Sequence, residues 1–449
     1  MSESSKHAAV IGGGLVGCLA AAMLSVQGFS VDLYEGRADP RGATKNPSVR
    51  ARSINLAVSN RGIHALQSIS PDLAEKVLVN LVPMKGRMIH TTSGECMSQL
   101  YGLHGESINS IDREVLNSTM LTEVAKTPGV QVHFDSKLTR ADLEKGILSF
   151  STGEVSKADL IVGADGAYSK VRQEMGRLIR MDYSQQFIDH DYLELAIPQG
   201  PQGRFQLDSE HLHIWPRKKF MLIALPNDDR SFTCTLFAPP STFSQLSSSD
   251  AQLSFFKQHF PDALPLITPE AVIRAFAEHP ISPLMRLSCS PYHYKDKAII
   301  LGDASHTMPP FYGQGMNCGF EDVRVLHELL QAHPVADALQ KYSDERHADL
   351  LAIQDLALSN YTEMSTRVTD RFYLLRKAVD GLLAKTLGED RWCPLYTMVT
   401  FKDQVRYSAA KERERWQQEV VGGVVQGLVS GGAIAAGVAG WLAYKHWSR

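Results

Sequence analysis

Residues Ala9–Leu24 read AVIGGGLVGCLAAAML. Ala8–Ile11 has the pattern of a short buried strand, the glycines that of a turn, and 15–26 that of a helix. SVDLYE, ending at Glu35, follows as a second strand and completes a βαβ unit. Gly12, Gly14 and Gly17 fall in the order G-x-G-x-x-G. The first permits a tight turn, the second lets backbone approach a pyrophosphate, and the third lets the helix pack on the strand. Leu15 and Val16 open the helix, where free N–H groups present partial positive charge to phosphates. Glu35 is placed to accept hydrogen bonds from a ribose diol, and it disfavours a phosphate at that hydroxyl, so this loop does not read as an NADP site. The loop itself leaves NAD and FAD both open.

Two further segments bear on that choice. LIVGADGAYSKVR (160–172) puts Asp165 and Gly166 after an apolar run. AIILGDASHTMPPFYGQGMNCGFED (298–322) puts Asp303 at the end of a strand, where its carboxylate can reach a ribitol hydroxyl. Gly313 and Gly315 open a turn, and the helix starting near Met316 and Asn317 can face a flavin's pyrimidine edge, which becomes anionic on reduction.

The chain of 449 residues exceeds one compact core. Its net charge of −3 argues against nucleic acid as the main partner. The cysteines form no C-x-x-C pair, which speaks against a disulfide framework or a zinc site and for a reducing compartment. His211 and His213 alternate along one strand, but no third metal ligand accompanies them. Only Met1–His7 precedes the first apolar run, so no cleaved signal is expected.

Runs such as HLHIWP, FMLIALP and FTCTLFAP predict an antiparallel sheet, one face against a core, between the first and last nucleotide-type loops. The predicted architecture is therefore α/β: a discontinuous Rossmann-like nucleotide domain (1–80, 102–180 and 291–337) with an inserted substrate domain (strands in 81–101, antiparallel sheet in 181–290). A helical region, 338–415, is expected over the active site. The stretch 420–444 carries no charged residue and is long enough to span a bilayer, with Lys411, Arg413 and Arg415 before it. It is expected to anchor the protein in a membrane, with the catalytic body facing the cytoplasm.

The three loops in this order resemble those of the single-component FAD-dependent aromatic hydroxylases. RSINLAVSNRG, MKGRMIH, HLHIWPR, GQGMN, NYTEM and PLYTMVTF narrow the resemblance to the branch that acts on L-kynurenine, over about Ala8–Gln418. The resemblance implies resident FAD, NADPH as a transient reductant without a Rossmann domain of its own, and O₂. The oxygen would be delivered to the substrate ring from a flavin C4a-hydroperoxide, so no catalytic side-chain dyad is expected. In a eukaryote, the anchor would lie in the mitochondrial outer membrane.

Site residues follow from the same resemblance. Arg87 matches the arginine that holds the substrate carboxylate, and Tyr101 the phenol that shares it. Asn360 would touch the amino acid end, Glu363 and Met364 would line its flank, and Tyr396 would close the pocket. Phe311 and Tyr312 would wall the aromatic ring against the flavin, with Gln314 near the substrate ketone. Ile353, Leu356, Asn360, Glu363, Met364 and Arg367 recur at helical spacing and are expected on one face. Arg37, Arg41, Ala57, Arg113 and Leu138 join the cofactor set. His306 reads as a packing residue beside a helix rather than a base. Two other readings share the three loops: a hydroxylase of a different aromatic compound, and a non-catalytic binder of the Rab escort and GDI type.

Overall fold

A computed structural model describes residues 6–42, 55–423 and 426. A six-stranded sheet carries the nucleotide-type loops. Its strands run in the order His293–Tyr294, Ala298–Ile300, Leu160–Gly163, His7–Ile11, Ser30–Tyr34 and Val130–His133. All neighbours are parallel except the first pair. Parallel strands need both faces covered. Val10, Leu33, Ile161 and Ile299 are accordingly buried, and the helix Leu15–Val26 covers one side. The three glycine-bearing joints thus leave the same edge of one sheet, the carboxyl ends of adjacent strands, where open α/β sheets bind ligands.

A seven-stranded sheet stands beside it, in the order Ser282–Ser290, Asp182–Ile197, Phe232–Ala238, Met221–Pro226, His211–Pro216, Gly86–His90 and Cys96–Leu100. It is antiparallel except where His211–Pro216 runs parallel to Gly86–His90, which sets Leu212 opposite Arg87. One correction concerns burial. The sequence reading expected one covered face, yet His211–Pro216 and Met221–Pro226 are buried along their whole length. On one side, Trp215, Leu222 and Leu236 pack against Phe243, Phe256 and Phe260. On the other, Leu212, Ile214, Ile223 and Phe237 cluster with Phe311, Met364 and Phe401.

The helix Gly315–Ala332 leaves the last loop, and the long helix Val335–Ser365 then runs back to the second sheet. Arg367 lies beyond the end of that helix, in the short turn Arg367–Thr369. Asp303 also departs from expectation. The strand ends at Ile300, and Gly302, at φ +57°, turns the chain so that Asp303 begins a helical turn, Asp303–His306. Most of the expected membrane-anchor stretch lies outside the described residues. Among the described residues, no helix is long and apolar enough to cross a membrane.

Candidate active site

Two cavities meet where the sheets adjoin. The larger, of about 760 Å³, is lined by Gly12, Gly14, Leu15, Val16, Glu35, Arg37, Ala57, Arg113 and Leu138, and by Asp165, Asp303, Gly313, Gly315 and Met316. The glycine loop is built as its spacing requires. A Cβ on Gly12, which has φ +106°, would lie 2.4 Å from the Ala164 carbonyl oxygen, and one on Gly17 would lie 1.8 Å from that of Gly12. A Cβ on Gly14 would meet nothing within 4 Å among the described residues, and Gly14 lines the cavity. Gly14 caps the helix without a side-chain bond, which leaves the N-terminal N–H groups for a ligand.

Glu35 is 7% exposed and accepts from the Gly13 N–H at 2.8 Å and from the Arg37 N–H and Nε–H at 2.9 Å. Burial pushes its carboxyl up, but Arg37 and the Gly13 amide outweigh that and hold it below the usual carboxylate range. It stays anionic, and a long fourth contact, from Arg37 Nη2 at 3.5 Å, is the one that a ribose hydroxyl would replace. Asp165 turns back on its own helix, accepting from Ser169 Oγ at 2.5 Å and the Lys170 N–H at 2.6 Å, and burial raises its pKa. An uncapped helix start, an anionic Glu35, Asp303 at the far wall and the Gly313–Met316 turn fit a dinucleotide with a flavin at one end.

The smaller cavity shares Asn55, Ala57, Pro310 and Gly313 with the first. Its walls are mostly apolar: Ile108, Leu212, Met221, Ile223, Leu225, Phe237 and Phe311. Its polar end gathers Arg87, Tyr101, Tyr312, Asn360 and Tyr396, and Met364 lies alongside. Arg87 is 5% exposed. Its guanidinium lies 5.0 Å from the Tyr396 ring centroid and 5.7 Å from that of Tyr101, and those two rings stack at 4.9 Å. Nη1 donates to Glu363 Oε1 at 2.7 Å. Burial would lower the Arg87 pKa, but Glu363 more than offsets it and the group remains charged. The Tyr101 hydroxyl is buried and finds no hydrogen-bond partner among the described residues. Burial raises the Tyr101 and Tyr312 phenols and pushes Tyr396 up to about 12, so all three remain protonated donors. A buried cation beside an orphaned phenol suits a carboxylate held at that end.

Several expected residues lie elsewhere. Gln314 lines neither cavity; it is buried and its Oε1 accepts from the Tyr407 hydroxyl at 3.1 Å. Arg41 lines neither either: its Nε–H donates to Asp39 at 2.8 Å. Gly17 packs beneath the loop. Asn317 acts from behind, its Nδ2 donating to the Ala57 and Gly313 carbonyls at 2.8 and 2.7 Å. Glu363 lines neither cavity and meets the site through its bond from Arg87. Asn360 lines the smaller cavity, but its Nδ2 donates to the Phe311 carbonyl at 2.5 Å and so fixes the ring wall. The apolar walls carry no local mark in the sequence, because strands buried on both faces do not show which side faces a ligand.

The fold and this pair of cavities define an FAD-binding protein. The family described as "FAD binding domain" matches residues 6–356. A kynurenine 3-monooxygenase from Candida albicans is 47% identical over 443 residues, covering 96% of each chain. One from Yarrowia lipolytica is 46% identical over 446 residues, covering 95% of this chain and 96% of that one. The chain belongs to the kynurenine 3-monooxygenase family. Solved structures resemble it at the level of fold. The tetrameric form of 2-methyl-3-hydroxypyridine-5-carboxylic acid oxygenase aligns with TM-score 0.67 and 23% identity, over 81% of this chain and 94% of that one. Pseudomonas aeruginosa PqsL in complex with 2-aminobenzoylacetate aligns with TM-score 0.66 and 20% identity, over 83% and 100%.

Proposed function

We infer that this chain is an FAD-dependent monooxygenase that hydroxylates the ring of L-kynurenine, giving 3-hydroxykynurenine, with NADPH as reductant and O₂ as oxidant. The observation that carries the reading is the pairing of a buried cationic end with apolar walls, in a cavity that opens onto the cofactor cavity. When bound, FAD takes electrons from NADPH and activates O₂. The protein's own part is placement and exclusion of water. Arg87 and Tyr101 would take the substrate carboxylate, with Tyr396 stacked behind. Leu212, Ile223, Leu225 and Phe237 would hold the aromatic ring, and Phe311 and Tyr312 would face it toward the flavin. Asn360 would keep that wall in place by its bond to the Phe311 carbonyl. Glu363 balances the buried Arg87 charge until a substrate carboxylate arrives.

Glu35 and Asp303 would hold ribose and ribitol hydroxyls, and the 15–26 helix start would hold the pyrophosphate. The first sheet would be the FAD domain and the second the substrate domain, with residues 338–415 over the site. We propose in addition that 420–444 anchors the chain in a membrane, the mitochondrial outer membrane in a eukaryote, with the catalytic body on the cytoplasmic side. Its support is a 25-residue stretch without a charge, preceded by basic residues.

Turnover of L-kynurenine against an analogue lacking the carboxylate tests the reading. A large loss of kcat/KM with the analogue is expected; equal turnover of both would sink it.

A further inference from the structure

Beneath the Gly302–His306 turn lies a group of buried charges that takes no part in the chemistry above. Asp322, in the second turn of the Gly315–Ala332 helix, is fully buried. Its Oδ2 accepts from the Gly302 N–H at 3.1 Å and from His306 Nε2. Its Oδ1 accepts from Arg346 Nη2 at 2.8 Å and Nε at 3.2 Å. Arg346 also reaches Glu321 at 2.9 Å, and Glu321 pairs with the buried Arg61. His306, Cys318 and Asp322 stand close enough together to suggest a metal site. The Arg346 guanidinium already touches both Cys318 Sγ, at 3.5 Å, and Asp322, so a cation of the protein's own fills that place.

Two features show what the arrangement fixes. Gly302 sits at φ +57°, ψ −141°, a region essentially reserved for glycine, and needs a partner to hold it. His306 Nδ1 is buried and has no hydrogen-bond partner among the described residues, so the ring's polar contact is the one from Nε2 to Asp322. One carboxylate oxygen therefore joins Gly302 and His306, the two ends of a turn that contains Asp303, and Asp303 lines the cofactor cavity. We propose that Asp322 is a positioning residue: with His306 it fixes where Asp303 presents its carboxylate to the cofactor. The proposal rests on the FAD reading of that cavity.

The test uses the full chain loaded with FAD, and measures the FAD dissociation constant by recovery of flavin fluorescence, the flavin midpoint potential and the Tm of the apoprotein. D322N and H306A are expected to weaken FAD binding about tenfold and to shift the potential, as loss of a charged hydrogen bond predicts. H306Q, whose amide can still donate to Asp322, is expected to restore both. E321Q removes charge from the group without touching the turn, and is expected to lower Tm alone. Wild-type dissociation constant and potential in D322N and H306A would overturn the proposal. So would FAD loss that tracks Tm equally in E321Q and D322N. If D322N fails to fold, the H306A and H306Q pair decides. A wild-type chain that binds no FAD would overturn the cavity reading first, and this proposal with it.

Discussion

Arg87 concentrates the electrostatics of the smaller cavity. A guanidinium at 5% exposure needs a compensating charge, and Glu363 supplies it at 2.7 Å. A substrate carboxylate would compete for the same cation. Arg87→Ala removes a charge-assisted contact worth about 1.5–3 kcal/mol, so KM for L-kynurenine should rise about tenfold or more. Steady-state kinetics with saturating NADPH checks this, and an unchanged KM would remove Arg87 from the site. Tyr101→Phe deletes the orphaned hydroxyl and nothing else. Its KM should rise too, by about tenfold, as for a single hydrogen bond to an ionised carboxylate. The sequence made Arg87 and Tyr101 legible through resemblance alone; the Arg87–Glu363 pair spans 276 positions and no local pattern announces it. Gln314 and Arg41 show the converse limit. Each lies among true cavity residues in the chain, yet the backbone turns each one toward a protein partner, Tyr407 and Asp39.

At the scale of elements, the glycine loop and the strand His211–Pro216 make separate predictions. Gly14 lines the cofactor cavity, and no atom of the described residues lies within 4 Å of its would-be Cβ. Gly14→Val should therefore abolish FAD retention while the apoprotein melts as the wild type does. Flavin absorbance and thermal melting of the same sample distinguish that from a folding defect. On the strand, His213 is buried between the Asp208 carbonyl and His90, at 2.8 Å from each. Burial lowers its pKa from 6.5 to about 4. The unfolded chain binds a proton there at pH values where the folded one does not, so stability falls as pH drops from 6.5 toward 4. The loss approaches about 3 kcal/mol at the acid end. His213→Gln should flatten that part of the denaturation profile, and an unchanged slope would show that other groups carry it. The βαβ start was legible because glycine spacing and an acid after the second strand are local signals. The two-sided burial of the second sheet was not, since its second cover comes from helices far along the chain.

For the whole molecule, the chain threads twice between two sheets, and the cavities form where they meet. That meeting is invisible to periodicity, although the interleaving of loop, sheet and loop does point to a first sheet that draws its strands from separate parts of the chain. Truncation before residue 420 should leave FAD binding intact and shift the protein from the membrane fraction to the soluble fraction. Unchanged fractionation would remove the anchor from the account. The most direct test of the central claim is product analysis with purified full-length protein in detergent, supplied with NADPH and O₂. L-Kynurenine should drive NADPH oxidation and yield 3-hydroxykynurenine, while phenols lacking an amino acid group should yield nothing. A yellow enzyme that hydroxylates those phenols and leaves kynurenine untouched would contradict it.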